Sequence, residues 1–385
     1  MTALRDNNEQ EAEALADMTP YLRFMVERGA SDLFFSTGAP VHVKIEGVVR
    51  ALDRRVLEPT RLSNLAYSMM TYEQIKEFEA RLELNMAVSY RSLGRFRVNA
   101  YRQKGDVAMV VRHIKSAIPT LEDLRLPATL GDIAAEKQGQ VLIVGATGAG
   151  KSTTLASMLD HRNQRMTGHI VTVEDPIEFI HEHKKSIVDQ REVGLDTLSY
   201  QDALENALRQ APDVIVIGEV RDRTTMEHAH HFAETGHLCL STLHANNASQ
   251  ALDRMIHFFP SDARDQVLHD IGLHLRAIIC QRLIMSFTGK VVPAVEILIN
   301  TPRIAELIMS GNIAEIRDTM RRGEDRGMFT FDQSLYQLFQ DGVISEEDAL
   351  RNADSQNDLR LRIHMGRSTG DGPLISIDDV AERRE

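Results

Sequence analysis

The chain has 385 residues, more than one hydrophobic core ordinarily serves, and its 43% hydrophobic and 26% charged residues predict two globular domains. No run approaches the roughly 18 uninterrupted apolar residues of a membrane helix, and acidic Asp6, Glu9, Glu11 and Glu13 stand where a secretion signal needs base, so a cytoplasmic protein is expected. A net charge of −12 speaks against a duplex-DNA partner, and Cys239 and Cys280, both within apolar segments, are too few for a disulfide framework or a four-cysteine metal site.

Residues 1–18 are polar and acidic without apolar periodicity and read as a flexible extension. A first domain is expected over 19–114, beginning with a short helix from Pro20 to Arg28 that Gly29 ends. Ser31 to Ser36 is a candidate strand, and Val41, Val43 and Ile45 alternate with His42, Lys44 and Glu46 as a half-buried strand does. Thr60 to Leu84 carries helical spacing, and Met86 to Ile114 returns to strand text broken at Gly94 and Gly105, so this domain is α+β. Residues 115–127, with Pro119 and Pro127 around Leu121, Leu124 and Leu126, lack a period and read as a linker.

A second, α/β domain is expected over 128–353. Apolar stretches at Val141–Val144, His169–Val173, Val214–Ile217 and Leu238–Leu243 alternate with helical text, the pattern of a parallel sheet covered on both faces. Ser261 to Ala353 reads as mainly helical, and residues 354–385 as a mostly flexible tail apart from a short run at Leu374–Ile377.

Gly145 to Thr154 fits G-x-x-x-x-G-K-[ST] between an apolar strand and a helix, the context that pattern requires of a phosphate-binding loop. Backbone N–H groups of Gly145, Thr147, Gly148, Ala149 and Gly150 can turn onto phosphates, with Thr153 completing the loop's start of the helix. Lys151 adds a point charge at the β/γ end, and Ser152 can ligate Mg²⁺, making ATP and Mg²⁺ the expected cofactors. Glu219 closes the strand Asp213–Gly218 where such enzymes hold the metal's water shell. Glu174 ends another strand and is better placed than Glu178 to orient water, with Asp175 and Glu178 left to Mg²⁺ or to packing. His237 and His244 frame a strand, and either imidazole could contact a γ-phosphate or relay its presence. His228, His230 and His231 lie on helical text without ligand spacing, so no zinc is expected. Arg91, Arg95, Arg97, Arg102 and Arg112 punctuate the first domain; Arg95 and Arg97 share a strand face, and a basic face or a set of arginine fingers are both open readings.

These motifs resemble those of the secretion and pilus motor ATPases, and within them the type IV pilus retraction ATPases. The phosphate loop, Val173–His183 (an acidic box), Gly218-Glu-Val-Arg-Asp222 and Gly236–His244 (a histidine box) occur in the family's order, and Gly29–Leu33 and Gly94–Ala100 resemble its PAS-like N-terminal domain. The resemblance implies a RecA-like P-loop ATPase domain preceded by that smaller α+β domain. It also implies a homohexameric ring in which Arg97 and Arg112 act in trans, an inner-membrane pilus platform as partner, and a place at the cytoplasmic face of the inner membrane. Extension-type relatives commonly carry a four-cysteine zinc element that this chain cannot build, which favours the retraction branch. The stretch Arg303–Ser310 lacks the usual arginine pattern, and the chain runs on past Asn352; both features resemble the accessory branch, which implies dependence on a PilT-type retraction ATPase.

Overall fold

A computed structural model describes residues 17–368 apart from 46, 91, 115–116 and 324–326. Of the extension expected over 1–18, residues 1–16 lie outside the described residues, as do Arg91, the start of the linker and the Leu374–Ile377 run, whereas Met18 is buried in the first unit's core. The chain divides into two compact units, residues 1–117 with 178–180, and residues 118–177 with 181–385.

The first unit contains a six-stranded antiparallel sheet in the order β3-β2-β1-β6-β5-β4. Its strands are β1 (Asp32–Ser36), β2 (Pro40–Ile45), β3 (Val48–Val56), β4 (Glu83–Tyr90), β5 (Gly94–Gln103) and β6 (Asp106–Ile114). Alternation places Phe96, Val98 and Ala100 of β5 and Met109 and Val111 of β6 in the core, beneath the helix Pro59–Ser68. The opposite face carries Arg95 and Arg97. The single helix expected over Thr60–Leu84 is two, Pro59–Ser68 and Tyr72–Arg81. Thr71 breaks the run by capping the second through a reciprocal box with Gln74, and Leu82 ends it in a left-handed conformation.

The second unit is built on a seven-stranded sheet in the order β13-β12-β7-β11-β10-β8-β9. Its strands are β7 (Gly139–Val144), β8 (Gly168–Glu174), β9 (Ser186–Glu192), β10 (Val214–Ile217), β11 (Leu238–Leu243), β12 (Leu275–Met285) and β13 (Val291–Ile299). Six of the seven run parallel, and β13 alone returns antiparallel along β12. β7, β10 and β11 are buried on both faces, as their unbroken apolar runs require. With the helices on its faces this is a RecA-like P-loop domain, so the chain is α/β with a smaller α+β domain before it.

Three expectations need correction here. Leu121 and Leu126, read as linker, are buried against Leu130, Val141 and Ile143, so the second unit takes in the chain from Ile118. Within the stretch read as helical, β12 and β13 form a hairpin; an apolar run as long as Leu275–Met285 fits either element by periodicity, and the β-branched Ile278, Ile279 and Ile284 favour the strand. Pro293 is tolerated because β13 is the sheet's edge. Lastly, the tail expected from residue 354 begins as the helix Gln356–Ser368, which buries Leu359 and Ile363 in the core.

One buried group makes stability depend on acid. His230, in the helix Arg223–Glu234, is packed near Phe259 with neither ring nitrogen hydrogen-bonded, and Asp270, His274 and Glu227 are its charged or titratable neighbours. Burial lowers its pKa to about 4. A depressed histidine contributes stability that is full above its unfolded pKa, about 6.5, and declines as pH falls through that value. Denaturant titrations should therefore show His230→Phe losing about 1 kcal/mol less than the parent between pH 7.5 and 5.5. Parallel losses in the two proteins would show that His230 does not contribute.

Candidate active site

Parallel register sends the C-terminal ends of β7, β8, β10 and β11 to one edge, since Val144 pairs with Leu243, Ile217 with Ser241 and Val173 with Ile217. Glu174 is the last residue of β8, and Gly145, Glu219 and His244 lie just beyond the other three ends, so four strands deliver the loop, two acids and an imidazole together.

Beyond β7 the chain turns through Gly145–Gly150 into the helix Lys151–Arg165. Ala146, Thr147 and Gly148 are exposed, while Gly145 and Ala149 are buried. Gly148 and Gly150 adopt φ of 79° and 86°, and a Cβ on Gly150 would lie 2.7 Å from Gln281 Nε2. Gln281, on β12, also accepts from Thr154 Oγ1 at 2.6 Å, bracing the loop and its helix from behind. Thr153 and Gly150 border a cavity of about 640 Å³ with apolar walls at Leu126, Leu283, Val292 and Pro293. Ser152 and Thr153 lie in the first helical turn, half-buried.

Lys151 is buried, and its Nζ donates to the carbonyls of Gly145 at 2.9 Å and Ala146 at 3.0 Å. It also lies 3.4 Å from His244 Nδ1. An ammonium has no lone pair, so Nδ1 accepts, and the proton is left on Nε2 to donate to Glu219 Oε1 at 2.7 Å. The second Glu219 oxygen accepts from Arg221 Nε at 2.7 Å, and Arg221 Nη1 lies 3.7 Å from Asp175. Glu174 is held by Thr172 Oγ1 at 2.7 Å and Gln190 Nε2 at 3.1 Å. Burial and the neighbouring acids Asp175, Glu174 and Glu219 raise the pKa of Tyr200, whose phenol points into this cluster.

The structure does not bring every expected residue to this edge. His237 precedes β11 at its other end, where its carbonyl accepts from Gly139 N and its Nδ1 lies 3.1 Å from Thr235 Oγ1. A six-residue strand, about 20 Å long, separates it from the loop end, so within its own domain it cannot contact the phosphates. Glu178 is counted with the first unit. In that unit Arg97 and Arg112 are direct cross-strand partners, and Arg112 Nε donates to the buried Asp32 at 2.8 Å. Sequence reasoning missed Gln281, Arg221 and Tyr200; only Arg221 lay inside a recognised motif.

The donors present suit Mg²⁺: a hydroxyl from Ser152 and a carboxylate from Glu219 are hard oxygen ligands. Among the described residues no three His, Cys, Asp or Glu side chains form a metal cage, the usual situation where substrate phosphates supply the other ligands.

A sequence profile described as type II/IV secretion system protein matches residues 7–331. The type IV pilus ATPase PilU of Pseudomonas aeruginosa is 51% identical, over 94% of this chain and 98% of that protein. The type IV pilus retraction ATPase PilT of the same organism is 41% identical over 88% of this chain and 98% of its own. A crystal structure of the pilus retraction motor PilT with bound ADP superposes with a TM-score of 0.84 at 39% identity, covering 90% of this chain and 99% of that one.

Gly218, between β10 and Glu219, tests the tightness of the edge. A Cβ there would lie 3.0 Å from Tyr200 Oη, 3.2 Å from Glu174 Cα and 3.3 Å from Val173 O, with backbone on two sides. Gly218→Ala should displace Glu219 and lower nucleotide turnover by about 10-fold or more, as sub-ångström misplacement does, while the melting temperature moves only slightly. Unchanged turnover in a folded variant would show that the close approach has no part in positioning.

Proposed function

The chain belongs to the type II/IV secretion system protein family, and from that premise we propose that it is an ATP-hydrolysing motor subunit at the cytoplasmic base of a type IV pilus, supporting retraction and twitching motility in the accessory, PilU-like role. The observation that carries the reading is the continuous line Lys151–His244–Glu219 beside a glycine-turned phosphate loop. The triphosphate lies along the loop amides, the nucleoside enters the adjoining 640 Å³ cavity, and Lys151 meets the β/γ oxygens. Glu174, fixed by Thr172 and Gln190, orients the attacking water; the γ-phosphorus gains that oxygen and loses the bridging oxygen to ADP. Ser152 and Glu219 would hold Mg²⁺, whose charge offsets that of the phosphates when it is bound. His244 touches both the lysine and the acid and so senses whether a γ-phosphate has drawn Lys151 away.

The working assembly in this reading is a homohexamer that cooperates with a PilT-type retraction ATPase and an inner-membrane platform protein. No helix among the described residues is long and apolar enough to cross a membrane, so attachment there is peripheral in this reading. Arg97 and Arg112, adjacent on one sheet face, would serve the γ-phosphate of the neighbouring subunit.

Two measurements test this. Lys151→Ala should abolish ATP turnover, and Glu219→Gln should bind ATP while losing turnover, assayed with and without a PilT-type partner. Parental hydrolysis by Glu219→Gln would remove that residue from the mechanism. In the second, rings mixed from Lys151→Ala and Arg97→Ala subunits should regain activity where an intact loop meets an intact arginine. Mixed rings of verified composition that stay as inactive as either parent would return Arg97 to a structural role.

A further inference from the structure

Beside the γ end of the phosphate loop is a second, smaller cleft of about 340 Å³, lined by Ala146, His244, Ala245, Asn246, Gln250 and Arg254. In a chain of net charge −12 this lining contains a guanidinium, an imidazole and two amides, and no Asp or Glu. Arg254 lies on the helix Ala248–His257 and reaches back toward its start, as helical side chains do, so that Nη1 donates to His244 O at 2.9 Å. The side chain remains exposed, and a guanidinium has five N–H donors in a planar fork, a shape matched to tetrahedral oxyanions. Ala146 belongs to the loop whose carbonyl holds Lys151, and His244 stands 3.4 Å from that ammonium, so the cleft opens where the terminal phosphate would stand.

We propose that this cleft is the holding site for the phosphate released by hydrolysis, and that Arg254 is its principal ligand. The inference rests on the ATPase reading for the source of the anion, but the site's chemistry is that of a tetrahedral phosphate beyond the β-phosphate, whichever source fills it. Occupancy would keep an anion beside His244 after the bond to ADP has broken, and departure of the phosphate past Arg254 would then release that histidine to Lys151 and Glu219.

The test is equilibrium binding of radiolabelled inorganic phosphate to full-length protein saturated with ADP, comparing the parent with Arg254→Gln and Arg254→Lys. Arg254→Gln should weaken phosphate binding at least about tenfold, the size of one charge-assisted hydrogen bond, with ADP affinity and melting temperature unchanged; Arg254→Lys should fall between. A parallel arm measures a non-hydrolysable ATP analogue: equal affinity in parent and Arg254→Gln supports a site for released phosphate, whereas a loss confined to the analogue would place Arg254 on the bound γ-phosphate and overturn the proposal. Equal phosphate affinity in all three proteins overturns it as well. Phosphate binding that depends on Arg254 in a protein without ATP turnover would instead sink the ATPase reading and leave the site standing.

Discussion

A lysine ammonium cannot be withdrawn from water without replacement ligands, and Lys151 is withdrawn. Its ligands are carbonyls of its own loop, which turn toward Nζ only if the backbone curls back on itself at Gly148 and Gly150. The same curl directs the loop's N–H groups the other way, to the side from which phosphate approaches. Gln281 occupies the space that a Cβ on residue 150 would need, so the packing of β12 against β7 admits only glycine there. Thus one solvation requirement links the nucleotide site to a strand that contains none of its catalytic groups.

From Lys151 a chain of polar contacts runs along the sheet edge through His244, Glu219, Arg221 and Asp175. Its five members follow four strands, Lys151 after β7, His244 after β11, Glu219 and Arg221 after β10 and Asp175 after β8, so the contacts join four strand ends. In the proposed reading, an anion that drew Lys151 forward would deprive His244 Nδ1 of its donor and so disturb the imidazole's bond to Glu219. In this arrangement β11 and β10 are coupled through their terminal side chains and through Thr242 Oγ1, which donates to Gly218 O at 2.6 Å. A rigid parallel core with a polar, exchangeable rim is what allows a small displacement of phosphate to become a redistribution of contacts.

The parts legible in sequence were those in which local pattern and chemistry agree. The apolar stretches Val214–Ile217 and Leu238–Leu243 coincide with β10 and β11, because a short apolar run ending in Gly-Glu or Leu-His has one reading beside a phosphate loop. The antiparallel edge was not legible: β12 is apolar along most of its length, its β-branched isoleucines only favour a strand over a buried helix, and its pairing with β7 and β13 decides. His237 was placed at the nucleotide because both ends of β11 carry histidine, yet direction decides function in a parallel sheet, and only the C-terminal end faces the loop. Asp32 was read as part of a motif without a role; its buried carboxylate accepts from Arg112, eighty residues away, a pairing that only the β1–β6 register reveals. Gln281 was invisible for a related reason, since its function is to fill the space behind a glycine.

The C-terminal helices show how far the edge extends into what looked like an appendage. Glu296 on β13 is buried, and burial raises its carboxyl to about 7; its oxygen accepts from Ala248 N at 2.7 Å, the first residue of the helix that follows the His244 loop. Arg282 on β12 grips the same loop, its Nη2 donating to both Asn246 O and Asp354 Oδ1 and its Nη1 to Asn352 O. Asp354 and Ser355 in turn donate their N–H groups to Asp332, which also pairs with Arg317. Three buried or half-buried acids, Glu296, Asp354 and Asp332, and two arginines, Arg282 and Arg317, therefore link residues 244–248 to the last described helices, and Leu359 and Ile363 add apolar contact in the same core. The loop that carries His244 is thus held at Ala248 by Glu296, at Asn246 by Arg282 and at His244 O by Arg254. Residues 354–363 belong to the same network as the loop after β11, through Asp354 on Arg282 and through the buried Leu359 and Ile363, because the guanidinium that holds Asp354 also holds Asn246 O.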